Sequence, residues 1–241
     1  MAEESATSTT PAPGFSVSAY LFPPINKEGL KFGFPALAVA LAVAVLSWWF
    51  PSLATLVAPL LLLSWGVFLF FRDPERYPPD DENAILSPAD GKVCLVMQTP
   101  LPEELEEDQT KLYWRVSVFM SVLNVHVNRM PTAGEIVKKR YVPGKFLNAS
   151  LDKASKDNER CNYLVRTAGG ATYGVTQIAG LVARRIVPFV EEGAVLARAE
   201  RFGLIRFGSR LDVYLPEGVL PEVKVGQTMV AGETVLGRMA R

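Results

Sequence analysis

Few side chains in these 241 residues suit covalent or acid–base chemistry, and the scarcity narrows the choices. The chain has one histidine, His126, so a metal site of two or three histidines cannot be built, and any serine–histidine–acid arrangement must pass through it. A lone histidine in an apolar run is also the ordinary pattern of a structural hydrogen-bonder. Asp90 stands in Ser87-Pro88-Ala89-Asp90-Gly91, where proline fixes φ and Asp-Gly favours a tight reversal, so by itself it reads as a turn. Gly208-Ser209 offers a hydroxyl nucleophile, but nothing local activates it. Cys94 and Cys161 make neither a disulfide framework nor a metal site, which points to a reducing compartment, and neither a P-loop nor a dinucleotide glycine fingerprint occurs.

The elements that must position these groups fall into two unlike parts. From Ala84 onward, short β-branched runs alternate with turn residues: Lys92 to Met97, Trp114 to Val127, Gly134 to Val142, Asn162 to Arg166, Gly174 to Ile178 and Leu211 to Leu215. Such spacing predicts a mainly β domain, a flattened barrel or sandwich of the barrel-sandwich-hybrid kind. The acidic stretch Pro100 to Thr110 and the polar stretch Asn148 to Arg160 read as loops. Val223 to Gly237 alternates apolar residues with turn glycines, in the manner of the last hairpins of biotinyl and lipoyl carrier domains.

Ahead of this domain, Phe32 to Phe71 is a run of 40 residues with no charged side chain, 31 of them hydrophobic. That is about twice the length of one bilayer crossing. Trp48-Trp49-Phe50-Pro51-Ser52 in its middle joins interfacial aromatics to a helix breaker, which predicts a hydrophobic α-helical membrane hairpin. A re-entrant hairpin is the alternative, because Pro35, Pro51 and Pro59 shorten the spans; a cleaved signal peptide fits poorly with so long a run so far from the N-terminus. Lys27 and Lys31 before the run, with Arg72 and Arg76 after it, place both ends in the cytoplasm by the positive-inside rule. The expected organisation is a disordered tail over 1–20, the hairpin over 21–72 and the β-rich domain over 73–241. The 25 basic and 25 acidic residues cancel, which argues against nucleic acid as a partner. Lys138-Lys139-Arg140 and Arg184-Arg185 are candidates for attraction to an anionic membrane surface, or simply solvated charges.

Taken in order, Phe70-Phe71-Arg72-Asp73-Pro74, Ser87 to Gly91, Phe119-Met120-Ser121 with Asn124-Val125-His126 and Met130-Pro131, Asn158-Glu159-Arg160, and Arg201-Phe202-Gly203 through Phe207-Gly208-Ser209 resemble a phosphatidylserine decarboxylase proenzyme of the short bacterial type. The resemblance runs from about Asn26 to the C-terminus. It implies that the Gly208–Ser209 bond is cut by the chain itself, giving a β chain of 1–208 and an α chain of 209–241 held as a heterodimer, with further dimerisation left open. Ser209 becomes a covalent pyruvoyl group, the electron sink that forms a Schiff base with phosphatidylserine, so no metal and no pyridoxal phosphate is implied. Phosphatidylethanolamine and CO₂ are the implied products, at the cytoplasmic side of the inner membrane.

The resemblance also assigns proton transfer to His126 and Asp90. Many relatives carry a second histidine three residues after the first, where this chain has Arg129, which cannot be a base at cellular pH. Arg129 is instead a candidate for pairing with Asp90 or with the substrate's carboxylate or phosphate. A rival reading from another class is a membrane-anchored adaptor or carrier with a biotinyl-like domain. The final hairpins suit it, but no lysine tip accompanies them.

Overall fold

The computed structural model describes residues 23–106, 108–147, 149, 157–180, 185–206 and 208–239; the tail expected over 1–20 lies outside them. Asn26 starts helix α1 (Lys27–Leu46), its Oδ1 accepting the Glu28 N–H at 3.1 Å. Pro51, which has no N–H to extend the first helix, opens a single 3-10 turn at Pro51–Leu53 that leads into α2 (Ala54–Phe70). The two apolar segments of 20 residues each are about 30 Å long at 1.5 Å per residue, matching a bilayer's hydrocarbon core. Small residues let them pack closely: a side chain at Gly33 would collide with the Phe68 ring, and one at Gly29 with Phe71. Trp48, Leu41, Leu62 and Trp65 point outward and are more than half exposed. A paired-helix surface so apolar is costly in water and suits a lipid environment.

The hairpin's base is tied to the rest of the chain. Ile25 and Arg72 form a β-bridge, the Asn26 N–H donates to Phe71 O at 2.9 Å, and the Asp73 N–H donates to Pro24 O at 2.6 Å. Phe70 and Phe71 pack on Leu204 and Val187 of the β domain. Arg206 donates to Glu28 Oε2 at 2.6 Å and lies 4.9 Å above the Phe32 ring.

Thirteen strands follow: β1 (Ala84–Leu86), β2 (Gly91–Thr99), β3 (Tyr113–Met120), β4 (Val127–Arg129), β5 (Gly134–Val142), β6 (Arg160–Arg166), β7 (Thr172–Ala179), β8 (Arg185–Pro188), β9 (Val195–Leu196), β10 (Arg201–Arg206), β11 (Ser209–Tyr214), β12 (Thr228–Met229) and β13 (Val235–Arg238). Eight make one antiparallel sheet in the order β12-β2-β3-β11-β7-β6-β5-β9, while β4-β10-β8 and β1-β13 form two smaller sheets. None closes into a barrel among the described residues, so the domain is a flattened sandwich. Val118, Met120, Val175, Leu211 and Val213 from the large sheet share a core with Ile186, Phe202 and Ile205 from the three-stranded one.

Two local expectations change. The run Trp114 to Val127 is broken into β3 and β4, because Ser121 N–H and Oγ–H both donate to Asn124 Oδ1, at 2.9 and 2.8 Å, and fold Ser121 to Asn124 into a turn. The C-terminal strands, expected as carrier-like hairpins, pair with earlier strands instead of with each other: β12 with β2 and β13 with β1.

Candidate active site

Strand β11 fixes one side of the site. It lies between β3 and β7 with six residue pairs on each flank, beginning at Ser209 opposite Met120 and Ala179. Gly208, just before it, has φ +67°, a left-handed conformation that glycine adopts without strain. Its carbonyl oxygen is pressed against Gly180, where any Cβ would overlap it. Ser209 is fully buried, and its Oγ has no hydrogen-bond partner among the described residues. A buried hydroxyl without a partner costs about 1–3 kcal/mol, which is typical of a group kept for chemistry.

The turn between β3 and β4 supplies the other side. It delivers His126, 2 % exposed, so that Nε2 accepts the Gly208 N–H at 3.3 Å while Nδ1 lies 2.9 Å from Asn124 O. A carbonyl oxygen can only accept, so Nδ1 carries the proton and Nε2 is the basic nitrogen turned to the Gly208–Ser209 segment. Burial pushes the imidazole's pKa down to about 4, with a smaller push from Arg72 and some relief from the Asn124 carbonyl. His126 is therefore neutral at cellular pH. Phe70, the last residue of α2, covers its ring at a centroid distance of 4.1 Å.

The structure brings Ser209, Gly208 and His126 together and does not join Asp90 to them. Both Asp90 oxygens accept from Arg76 Nη2, at 2.9 and 2.7 Å, and Oδ1 also accepts the Ala231 N–H at 2.8 Å. The carboxylate expected against the imidazole is thus an arginine partner, and the imidazole's Nδ1 is met by a backbone carbonyl. Arg129 is buried and donates to Asp73 Oδ1 (3.1 Å), Pro74 O (3.0 Å) and Ala199 O (3.1 Å). It pairs with Asp73, not Asp90, and clamps the segment leaving the hairpin. Two members of the basic run on β5 are met by acid, Lys139 by Glu191 and Arg140 by Glu192, while Lys138 reaches Leu105 O. Arg184 lies outside the described residues.

Sequence reasoning missed four contributors. Asn124 and Phe70 lay inside motifs already singled out, but nothing in the string showed that one would hold His126 by its carbonyl and the other cover its ring. Arg76 follows the Phe70–Pro74 motif and could have been suspected from its charge. Gly180 is one of 18 glycines and has no distinguishing neighbour. Behind the site, buried Asp212 receives Arg210 Nε and Nη2 at 2.8 and 2.9 Å, and Arg210 Nη1 reaches Ala149 O at 3.1 Å. This pair lies on the face of β11 opposite Leu211 and Val213, and it locks the strand that begins with Ser209.

An open sandwich that buries a Gly-Ser junction beside a neutral histidine is laid out as the site of an enzyme rather than as a carrier domain. The family model for phosphatidylserine decarboxylase matches residues 64–237. A phosphatidylserine decarboxylase proenzyme from Erythrobacter litoralis is 50% identical over 234 residues, covering 94% of this chain and 92% of that protein. Those from Novosphingobium aromaticivorans (49% over 234 residues; 94% and 91%) and Ruegeria pomeroyi (54% over 217; 88% and 94%) are similarly close. The chain belongs to the phosphatidylserine decarboxylase family, and the carrier reading is set aside.

Proposed function

We propose that the chain cuts itself between Gly208 and Ser209 and then decarboxylates phosphatidylserine to phosphatidylethanolamine. The observation that carries this reading is the buried, unpartnered Ser209 Oγ next to a left-handed glycine whose N–H is bonded to the chain's one histidine. Ser209 Oγ attacks the Gly208 carbonyl carbon; its proton passes by way of His126 to the Ser209 nitrogen, the C–N bond breaks, and an ester joins the two residues. Removal of the Ser209 α-proton then expels the Gly208 carboxylate from Cβ and leaves dehydroalanine. One water enters and one ammonia leaves, which converts that residue to pyruvoyl.

A site this buried, with a serine already at the start of a strand, fits a group made in place. The pyruvoyl carbonyl supplies the electron sink that losing CO₂ from an amino acid requires. The protein's part is to hold and protect. β11 keeps its pairing with β3 and β7, and Arg210 its bonds to Asp212, so the new terminus of the 209–241 chain stays in the centre of the sheet. His126 Nε2 holds or moves the proton there, and Phe70 excludes water from its ring. Asp90 acts at one remove, fixing Arg76 and the turn at Ala231. The hairpin anchors the enzyme in the inner membrane with Lys27, Lys31, Arg72 and Arg76 on the cytoplasmic side.

Intact mass spectrometry of purified protein tests this directly. Two chains are expected, the smaller starting at residue 209 with a blocked N-terminus. One uncut chain in an active sample overturns the reading.

A further inference from the structure

The turn that places His126 also carries two exposed apolar side chains, Val122 at 51% and Leu123 at 73%. Scattered exposed leucines are ordinary on any protein surface. This pair differs because of where it is held. Arg72 donates from Nη1 to Leu69 O at 2.7 Å and from Nη2 to Leu123 O at 2.6 Å. One planar guanidinium therefore bridges the last turn of α2 to the Leu123 backbone, which puts the turn level with the hairpin's last helical turn instead of out on the domain's far surface. The apolar side chains continue the hairpin's apolar exterior onto the β domain, at the height where the helix would leave the hydrocarbon.

From this we propose that Val122 and Leu123 are a second membrane contact, entering the interfacial layer of the bilayer beside the hairpin. The proposal rests on the hairpin being the anchor and adds to it. Because the hairpin's base is tied to the β domain, a second contact beside it limits how far the two can tilt together in the bilayer. The orientation this fixes is useful, because Val122 Cγ1 lies 4.0 Å from where a side chain on Gly208 would be. His126 lies three residues beyond Leu123. The reactive junction thus sits directly behind the turn, and seating Val122 and Leu123 among the lipids holds that junction at the depth of the headgroups. The partner this surface fits is a lipid bilayer, recognised by apolar insertion.

The test uses the full-length protein carrying Leu123→Cys or Val195→Cys, each labelled with an environment-sensitive fluorophore and mixed with phosphatidylcholine/phosphatidylglycerol vesicles. Val195, 76% exposed on the edge strand β9, is the water-facing control. The unsubstituted chain, labelled in parallel, gives the background from Cys94 and Cys161. The expected result is flotation of both proteins with the vesicles, a blue shift for the probe at 123, and loss of its emission when doxyl-labelled lipid is included, with no change at 195. Flotation with both probes unshifted overturns the second contact and leaves the anchor standing; equal quenching at both sites also overturns it. Absence of flotation defeats the anchor reading and this inference with it.

Discussion

The phenyl ring of Phe70 lies 4.1 Å from the His126 imidazole, centroid to centroid, tilted by 34°. The hairpin's second helix therefore ends as a wall of the candidate site, and the basic nitrogen that faces Gly208 owes part of its dryness to a residue of the hairpin. Arg206, two residues before Gly208, is held by Glu28 and Phe32 of the first helix. Both helices touch the neighbourhood of the Gly208–Ser209 junction.

Removing that wall should slow self-cleavage and change its pH dependence. Phe70 is 5% exposed, and Phe70→Ala costs about 3–5 kcal/mol of packing where the site cannot collapse. Water reaching the imidazole reduces the desolvation that depresses its pKa, so the acid limb of the cleavage profile should move up from about 4 toward the ordinary histidine range. Following the fraction of cut chain against pH, for the variant and the parent, checks this. An unchanged acid limb would show that Phe70 does not set the environment of His126.

The same depressed pKa makes a stability prediction. His126 is held neutral in the fold, so between about 4 and 6.5 the unfolded chain binds more protons than the folded one. Stability contributed by this site is then fully present above pH 6.5 and is lost as pH falls toward 4, by at most about 3 kcal/mol. Thermal unfolding of the uncut Ser209→Ala protein in detergent, with and without His126→Gln, isolates the effect. The parent should lose stability across that window, and the slope should flatten in the double variant.

Ser209→Ala should itself give a single chain, since no hydroxyl remains to attack Gly208. Arg129→Ala should behave differently. It removes one cation from Asp73, whose carboxylate is only 10% exposed, while Arg201 remains at 2.7 Å. Breaking a buried pair costs about 3–5 kcal/mol, reduced here by the remaining partner. A lower melting temperature with cleavage at least partly retained is expected. Complete loss of cleavage in a protein that still unfolds cooperatively would put Arg129 in the base system.

Much of the scaffold was legible because it is periodic. Gly134–Val142 was read with its observed bounds, and Lys92 to Met97 and Gly174 to Ile178 lie within β2 and β7. Strands of two to four residues, such as β4, β8, β9 and β12, are too short to show a period, and they form largely because a partner strand is already in place. The site divides in the same way. Gly208-Ser209 and His126 stand out through ordered motifs, but the contact between them spans 82 residues of sequence and depends on the pairing of β10 with β4. The resemblance gives Asp90 a part in proton transfer and Arg129 a pairing with Asp90 or the substrate, yet sequence alone does not show that Arg76 and Asp73 meet them. A tight turn and a basic strand residue choose partners through tertiary packing.

The last prediction concerns a residue with no functional group. Gly180 faces Gly208 across the join between β7 and β11, and a methyl group there would occupy the space of the Gly208 carbonyl oxygen. Something must shift, and because Ser209 to Tyr214 is paired on both flanks, the Gly208 end is the movable part. The Gly208 carbonyl, the proposed target of Ser209, is then displaced or turned. A misplacement on the order of 1 Å can cost about 100-fold in rate, so Gly180→Ala should cut itself about 100-fold more slowly while still folding. Gly134→Ala is the matched control: a methyl group there meets Arg166 O at 2.6 Å, so it strains a strand pair far from Gly208. Both variants should lose thermal stability, and only the Gly180 variant should accumulate uncut chain in a time course followed by mass. If the two variants process at the same rate, the close approach at Gly180 is packing alone and does not aim the scissile carbonyl.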